Sequence, residues 1–214
     1  MDEAQDKNAN GSSVKELFYD VLDLVEVGLG TFFVFLILMT YVFRPVLVTG
    51  SSMVPTLRNG DSLLMMTMPP VVKPGKIVII DDQKAGAFAD AQQTQVVQRN
   101  GYGTTLVKRV IAVGGQELNI DFENGTVAVD GKQLAESYIA DLTKRDDGGF
   151  TYPLTVPEGY IFVMGDNRMH STDSRSPIVG LVPEDQVLGT VVMRYNREDE
   201  TMTSWFDRFD FLFW

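Results

Sequence analysis

The chain has 214 residues, room for one anchoring segment and one moderate globular domain but not for two large ones. Its formal net charge of -11 argues against a nucleic-acid partner, because phosphate recognition needs clustered Lys and Arg. With no cysteine and one histidine, a disulfide, a thiolate nucleophile and a multi-histidine zinc site are all excluded, while 44% hydrophobic content says that most of the chain folds.

Met1 to Gly11 is polar and acidic and reads as a disordered start. From Val14 to Val25, apolar residues recur at helical spacing with Asp and Glu between them, which predicts an amphipathic lead-in helix at a membrane surface (residues 1–23 with the polar start). Val27 to Phe43 carries no charge and gives about 25 Å of helix, near the lower limit for a span. Flanking residues, with Arg44 able to snorkel, extend this to a transmembrane anchor over 24–45. A cleaved signal peptide would want a basic start and a small-residue site, whereas this start is acidic and Tyr41 to Phe43 is bulky. A buried core helix is the other reading; Phe, Leu, Ile and Val all round the helix favour lipid. Lys15 on one side against Arg44 and Arg58 on the other leaves the orientation open.

Past Pro45 the pattern changes to period two, and residues 46–197 read as a mainly β, antiparallel domain with at most one or two short helices. Strands are predicted at Ser62–Met66, Ile77–Asp81, Val96–Arg99, Thr104–Val113, Leu118–Phe122, Thr126–Val129, Tyr160–Met164 and Val187–Arg194. Asn124-Gly125 predicts a type I′ hairpin turn, and Asp130-Gly131 closes the next turn. Ala85 to Gln95 reads as a polar surface excursion and Asp141 to Gly149 as a solvated loop. The 198–214 segment ends in an aromatic tail, Ser204 to Trp214, which either packs on the domain or dips into the membrane interface.

Three stretches carry groups suited to chemistry. Gly50 to Leu57 is a glycine-opened turn with adjacent hydroxyls, Ser51 and Ser52, closed by Pro55; it suits acyl transfer once a base is available. In Thr105 to Val113, Lys108 and Arg109 interrupt a nearly continuous apolar strand, so alternation points one of the two charges into packed surroundings. Arginine does not deprotonate, but a lysine starting at about 10.4 falls to around 7 if desolvation supplies roughly 4 kcal/mol. Lys108 is therefore the possible base; the plain alternative is a lysine snorkelling from a strand edge. Met164 to Arg175 packs hydroxyls, carboxylates and guanidinium groups into one loop, where Asp173 can pair with Arg175 and Ser171 could orient an amine. Its plain alternative is a polar turn held by side chain–backbone bonds.

In this order behind one N-terminal anchor, the three stretches resemble bacterial type I signal peptidase. The nucleophile motif is matched by Ser52, Met53, Pro55 and Thr56; the general base by Lys108, followed by Arg109; and the bracing loop by Gly165, Asp166, Asn167, Arg168, Ser171, Asp173, Ser174 and Arg175. The resemblance implies a membrane-bound serine endopeptidase that removes signal peptides from exported preproteins. Its Ser/Lys dyad needs no cofactor or metal. It would act on the outer side of the bacterial cytoplasmic membrane, with preproteins, the bilayer and a nearby secretion translocon as partners. It further implies oxyanion and site-bracing roles for Ser51, Gly165, Asp166, Ser171, Asp173 and Arg175, and substrate contacts at Val46, Val48, Met53, Pro55 and Val107. Two positions depart from the family pattern: Gly50 stands where some relatives carry a Ser or Thr hydroxyl that helps hold the oxyanion, and Lys76 where an acid is common. His170 admits a Ser52–His170–Asp173 triad, but the family leaves that position variable. A soluble self-cleaving Ser/Lys regulator and an inactive tethered binding module are the rival classes; the apolar run and the acidic charge oppose the first, and the intact Ser52 and Lys108 the second.

Overall fold

The structure is a computed structural model that describes residues 3–195 and 209–212. The chain divides into two compact units, Met1–Val42 and Phe43–Trp214.

The first unit is one helix, α1 (Glu3–Tyr41). Lys15–Tyr41 is long and apolar enough to cross a membrane, with none of its apolar stretch buried by protein. Two expectations change here. The polar start is helical from Glu3, and the lead-in is continuous with the span rather than a separate element. Helix propagation from an existing turn avoids the cost of nucleation, so a weakly helical flank joins a strong one.

In the second unit the strands are β1 (Phe43–Leu47), β2 (Ser62–Met66), β3 (Ile77–Asp81), β4 (Lys84–Phe88), β5 (Val96–Asn100), β6 (Thr105–Val113) and β7 (Glu117–Asp121). They continue with β8 (Thr126–Val129), β9 (Lys132–Gln133), β10 (Leu154–Thr155), β11 (Tyr160–Met164), β12 (Val182–Pro183), β13 (Val187–Tyr195) and β14 (Phe209–Phe211). One 3₁₀ turn, Glu184–Gln186, is the only helical segment described there. The main sheet runs β1-β2-β13-β3-β6-β11-β12, with β14 added to β13; β10-β7-β8-β9 form a second sheet and β4-β5 a hairpin. All pairings between these strands are antiparallel. At the two ends of the main sheet, Pro45 of β1 faces Leu64 and Pro183 of β12 faces Tyr160.

Both faces of the main sheet are covered, which explains why β3 reads as a continuous apolar run. Ile77 and Ile79 pack with Met53, Leu57, Leu63, Met65 and Val191, while Val78 and Ile80 pack with Val110, Ile161, Val163 and Val182. A third cluster joins Ile111, Phe162 and Met164 to Leu118, Ile120 and Val127 of the second sheet. Each fully buried Leu or Ile contributes about 1.5–3 kcal/mol.

Several local expectations need correction. β1 starts at Phe43, so residues 43–45 belong to the sheet rather than to the anchor. Asn124 is not left-handed: β7 and β8 are joined by four residues, with only Gly125 at positive φ (71°). Asp121 instead accepts from the Glu123 and Asn124 N–H groups, an Asx-type turn that outcompetes the two-residue one. The left-handed pair sits one turn later, at Asp130 (φ 51°) and Gly131 (φ 73°). Lys84–Phe88 is a hairpin arm with Ala85 fully buried, leaving Ala89–Gln95 as the excursion. The loop 141–149 is not simply solvated, because Thr143 is buried and accepts from Arg168. In the tail, Phe209–Phe211 is a strand and Leu212 is buried; Ser204–Arg208, Phe213 and Trp214 lie outside the described residues.

Candidate active site

Ser52 lies in the turn between β1 and β2. The turn is closed at its base by Gly60 N–H donating to the Val48 carbonyl (2.9 Å) and Val48 N–H to the Asp61 carbonyl (2.8 Å). Gly50 supplies a positive φ of 101°, and its N–H donates to Asn59 Oδ1 (3.0 Å). Met53 and Leu57 drive the turn into the core, and the Leu57 N–H closes on the Met53 carbonyl (2.9 Å). Asn167 completes the clamp: its N–H donates to the Ser52 carbonyl (3.0 Å) and its Nδ2 to the Ser51 carbonyl (3.1 Å).

Lys108, on β6 opposite Val78, is 2% exposed, and its Nζ donates to Ser52 Oγ at 2.8 Å. Burial is the dominant influence on this amine and pulls its pKa down from 10.5 to about 8; Asp173 and Asp166 oppose the fall, and Arg175 adds to it. Nucleophile and base candidates thus sit in hydrogen-bond contact, with the amine poised to lose its proton near neutrality.

Alternation led us to expect one buried charge on β6, yet both are buried. The reason is that both faces of the sheet are covered and Arg109 has partners on its own face. Its Nε and Nη2 donate to Asp166 (2.8 and 2.6 Å), its Nη1 to the Gly75 carbonyl (2.8 Å), and its guanidinium stacks 3.9 Å above the Tyr138 ring. Asp166 also accepts from Thr56 Oγ1 at 2.5 Å, tying Arg109 to the Ser52 turn.

The loop after β11 is a buried polar network. Asp173 accepts from Arg175 Nε (2.9 Å) and from the Gly165 N–H (2.9 Å). Burial alone would raise its pKa, but the Arg175 guanidinium, with the Gly165 N–H and the Ser171 hydroxyl, outweighs that and holds the carboxyl below its ordinary value. Arg168 donates to Glu136 (2.6 and 3.1 Å) and Thr143 (2.6 Å). Gly165 is required by close approach: a Cβ there would lie 2.3 Å from Ser171 Oγ and 2.4 Å from the Ser52 carbonyl.

Not every candidate residue is placed as expected. Among the described residues Ser171 does not bond the lysine amine; its Oγ is buried, close over Gly165, and helps keep the Asp173 carboxyl ionised. Val48 and Met53 are 5% and 2% exposed and pack in the core, whereas Val46 and Val107 are half-buried and Pro55 is exposed. Ser51 is exposed and contributes its carbonyl to the clamp. The His170 side chain is exposed, and its backbone N–H donates to the Asn167 carbonyl (3.0 Å). Glu136 and Tyr138 are site-supporting residues that sequence reasoning missed. They sit in an irregular stretch, where the only available signal was that buried arginines need a partner.

A family model described as "Signal peptidase, peptidase S26" matches residues 21–196. The chain belongs to that family. It is 32% identical over 164 residues to signal peptidase I of Bacillus amyloliquefaciens, covering 72% of this chain and 75% of the relative. To signal peptidase I T of Bacillus subtilis it is 33% identical over 165 residues, with the same coverage. To the probable signal peptidase I-1 of Synechocystis sp. it is 33% identical over 168 residues, 75% of this chain and 74% of the relative. The crystal structure of a signal peptidase I from Enterococcus faecalis matches 56% of this chain and 96% of that one, at 26% identity and a TM-score of 0.41. As an S26 signal peptidase, the protein is a serine endopeptidase, mainly antiparallel β in fold.

Proposed function

We propose that this S26 peptidase is a single-pass membrane enzyme that removes signal peptides from exported bacterial preproteins through a Ser52/Lys108 dyad. The observation that carries the reading is the 2.8 Å contact between Ser52 Oγ and the buried Lys108 amine. The membrane and substrate assignments rest on α1 and on the names of the relatives.

In the mechanism, neutral Lys108 takes the Ser52 proton as Oγ attacks the scissile carbonyl. The tetrahedral oxyanion is held by backbone N–H groups, that of Ser52 first, since Gly50 brings no hydroxyl. Lys108 then protonates the leaving amine, and water resolves the acyl-enzyme. Asp166, Asp173 and Arg175 keep the turn and the amine in register without touching the reacting atoms. An extended preprotein segment adds beside Val46–Thr49 and the residues flanking Lys108, so that the half-buried Val46 and Val107 and the exposed Pro55 meet its side chains. The catalytic unit faces the extracytoplasmic side, within reach of the translocon that delivers the preprotein.

Incubating the detergent-solubilised enzyme with a preprotein tests this reading. Cleavage by the wild type that disappears in both Ser52→Ala and Lys108→Met is the expected result. Full cleavage by either variant, or its loss in His170→Ala instead, overturns it.

A further inference from the structure

We infer that Arg194 is a positioning residue for the Ser52 turn, and that the C-terminal strand β14 supplies the carboxylate that aims it; the inference rests on the Ser52/Lys108 reading. Arg194 stands near the end of β13, opposite Asp210 of β14 on one side and Leu63 of β2 on the other. Its Nε donates to Asp210 Oδ2 at 3.0 Å and its Nη2 to the same oxygen, while its Nη1 donates to the Thr56 carbonyl. That Nη1 also lies 3.9 Å from Asp61 Oδ2, which itself accepts the Arg58 N–H at 2.8 Å.

Thr56 is thereby gripped from two directions. Its hydroxyl reaches Asp166, in the network of Arg109, and its carbonyl is held by Arg194 from β13, the strand beside β2. Thr56 lies within the short turn that the Met53–Leu57 hydrogen bond closes, one turn from Ser52. Without the guanidinium, the Thr56 carbonyl loses its side-chain anchor, and the C-terminal half of the turn, held there by the Asp166 contact and the packing of Leu57, can shift and carry Ser52 Oγ off the Lys108 amine. Catalytic geometry tolerates little: about 1 Å of misplacement costs on the order of 100-fold. Arg194 is 18% exposed and borders a groove of about 400 Å³ that Pro55, Thr56, Tyr138 and Asp210 also line, so water is at hand to replace a lost bond without collapse of the core.

The test is steady-state kinetics on the full chain with a preprotein substrate, at several pH values. Arg194→Met is expected to lower kcat by about 10- to 100-fold, with KM within about twofold of wild type and the acid limb of the pH profile unmoved. Arg194→Lys should recover part of the loss, and Asp210→Asn should lower kcat by itself yet add nothing in the Arg194→Met background. An unchanged kcat in Arg194→Met overturns the inference. So does an acid limb displaced upward, which would mean the lysine has been opened to water, or losses at Arg194 and Asp210 that multiply. If Arg194→Met does not fold, Asp210→Asn, at a half-exposed carboxylate, reads the same kcat change and the same pH limb. Ser52→Ala run in parallel tests the dyad separately.

Discussion

In the proposed dyad, Lys108 links stability and activity at one atom. Its folded pKa of about 8 lies below the 10.5 of a free lysine, so the folded state holds fewer protons than the unfolded chain between those values. The burial penalty is therefore fully present below about pH 8 and fades as pH rises toward 10.5, a cost of roughly 3 kcal/mol at neutrality. Two outcomes are expected. The kcat/KM profile should rise through an acid limb near pH 8, as the neutral amine fills. Lys108→Met should be inactive yet melt higher than wild type at pH 7, with the gap narrowing by pH 10; a variant that melts lower at pH 7 would contradict the burial argument. Gly165 offers a second test. Gly165→Ala should lower kcat about 100-fold, and shortening its neighbour in Gly165→Ala/Ser171→Gly should not restore it, because the Ser52 carbonyl remains in the way.

Between residues and fold, the working element is the polar loop after β11. Asp173 and Arg175 are both fully buried, so the pair stands or falls together. Asp173→Asn should destabilise the domain by about 3–5 kcal/mol, since it strands a buried guanidinium; chemical denaturation measures it. Because the Asp173 carboxyl is held below its ordinary value, its contribution is present above pH 4 and is lost as pH falls below that, so wild type and variant should converge in acid. The loop's chemistry was legible in its run of Asp, Asn, Arg and Ser, and so was the Ser52 turn, because glycine and proline mark turns by mechanism. What was not legible was mutual placement. Ser171 was expected to meet an amine and instead lies buried over Gly165 beside Asp173, and Glu136 lies 32 residues from the Arg168 it neutralises. Short strands such as β9, β10 and β12 also escaped, as two residues carry no periodicity. β4 escaped because Lys-Ala-Gly-Ala-Phe lacks β-branched residues and is held by pairing with β5.

At the scale of the molecule, an apolar helix adjoins an acidic chain of net charge -11. The full chain is expected to pellet with membranes and to need detergent for extraction, whereas a chain beginning at Phe43 should remain in the aqueous fraction. Equal partitioning of the two would count against a span at Lys15–Tyr41. Period-two patterning revealed the class of fold. The insertion of β13 between β2 and β3 did not show, because sheet order depends on contacts far apart in sequence. The prolines at the two flanks of the main sheet have a last consequence. Pro45 and Pro183 carry no amide hydrogen, so neither outermost strand can present an unbroken row of donors to a neighbouring molecule. Copies crowded into one plane are thus discouraged from stitching flank to flank into fibres, and a guest chain pairing along β1 finds continuous donors only past position 45, on the side nearer Ser52.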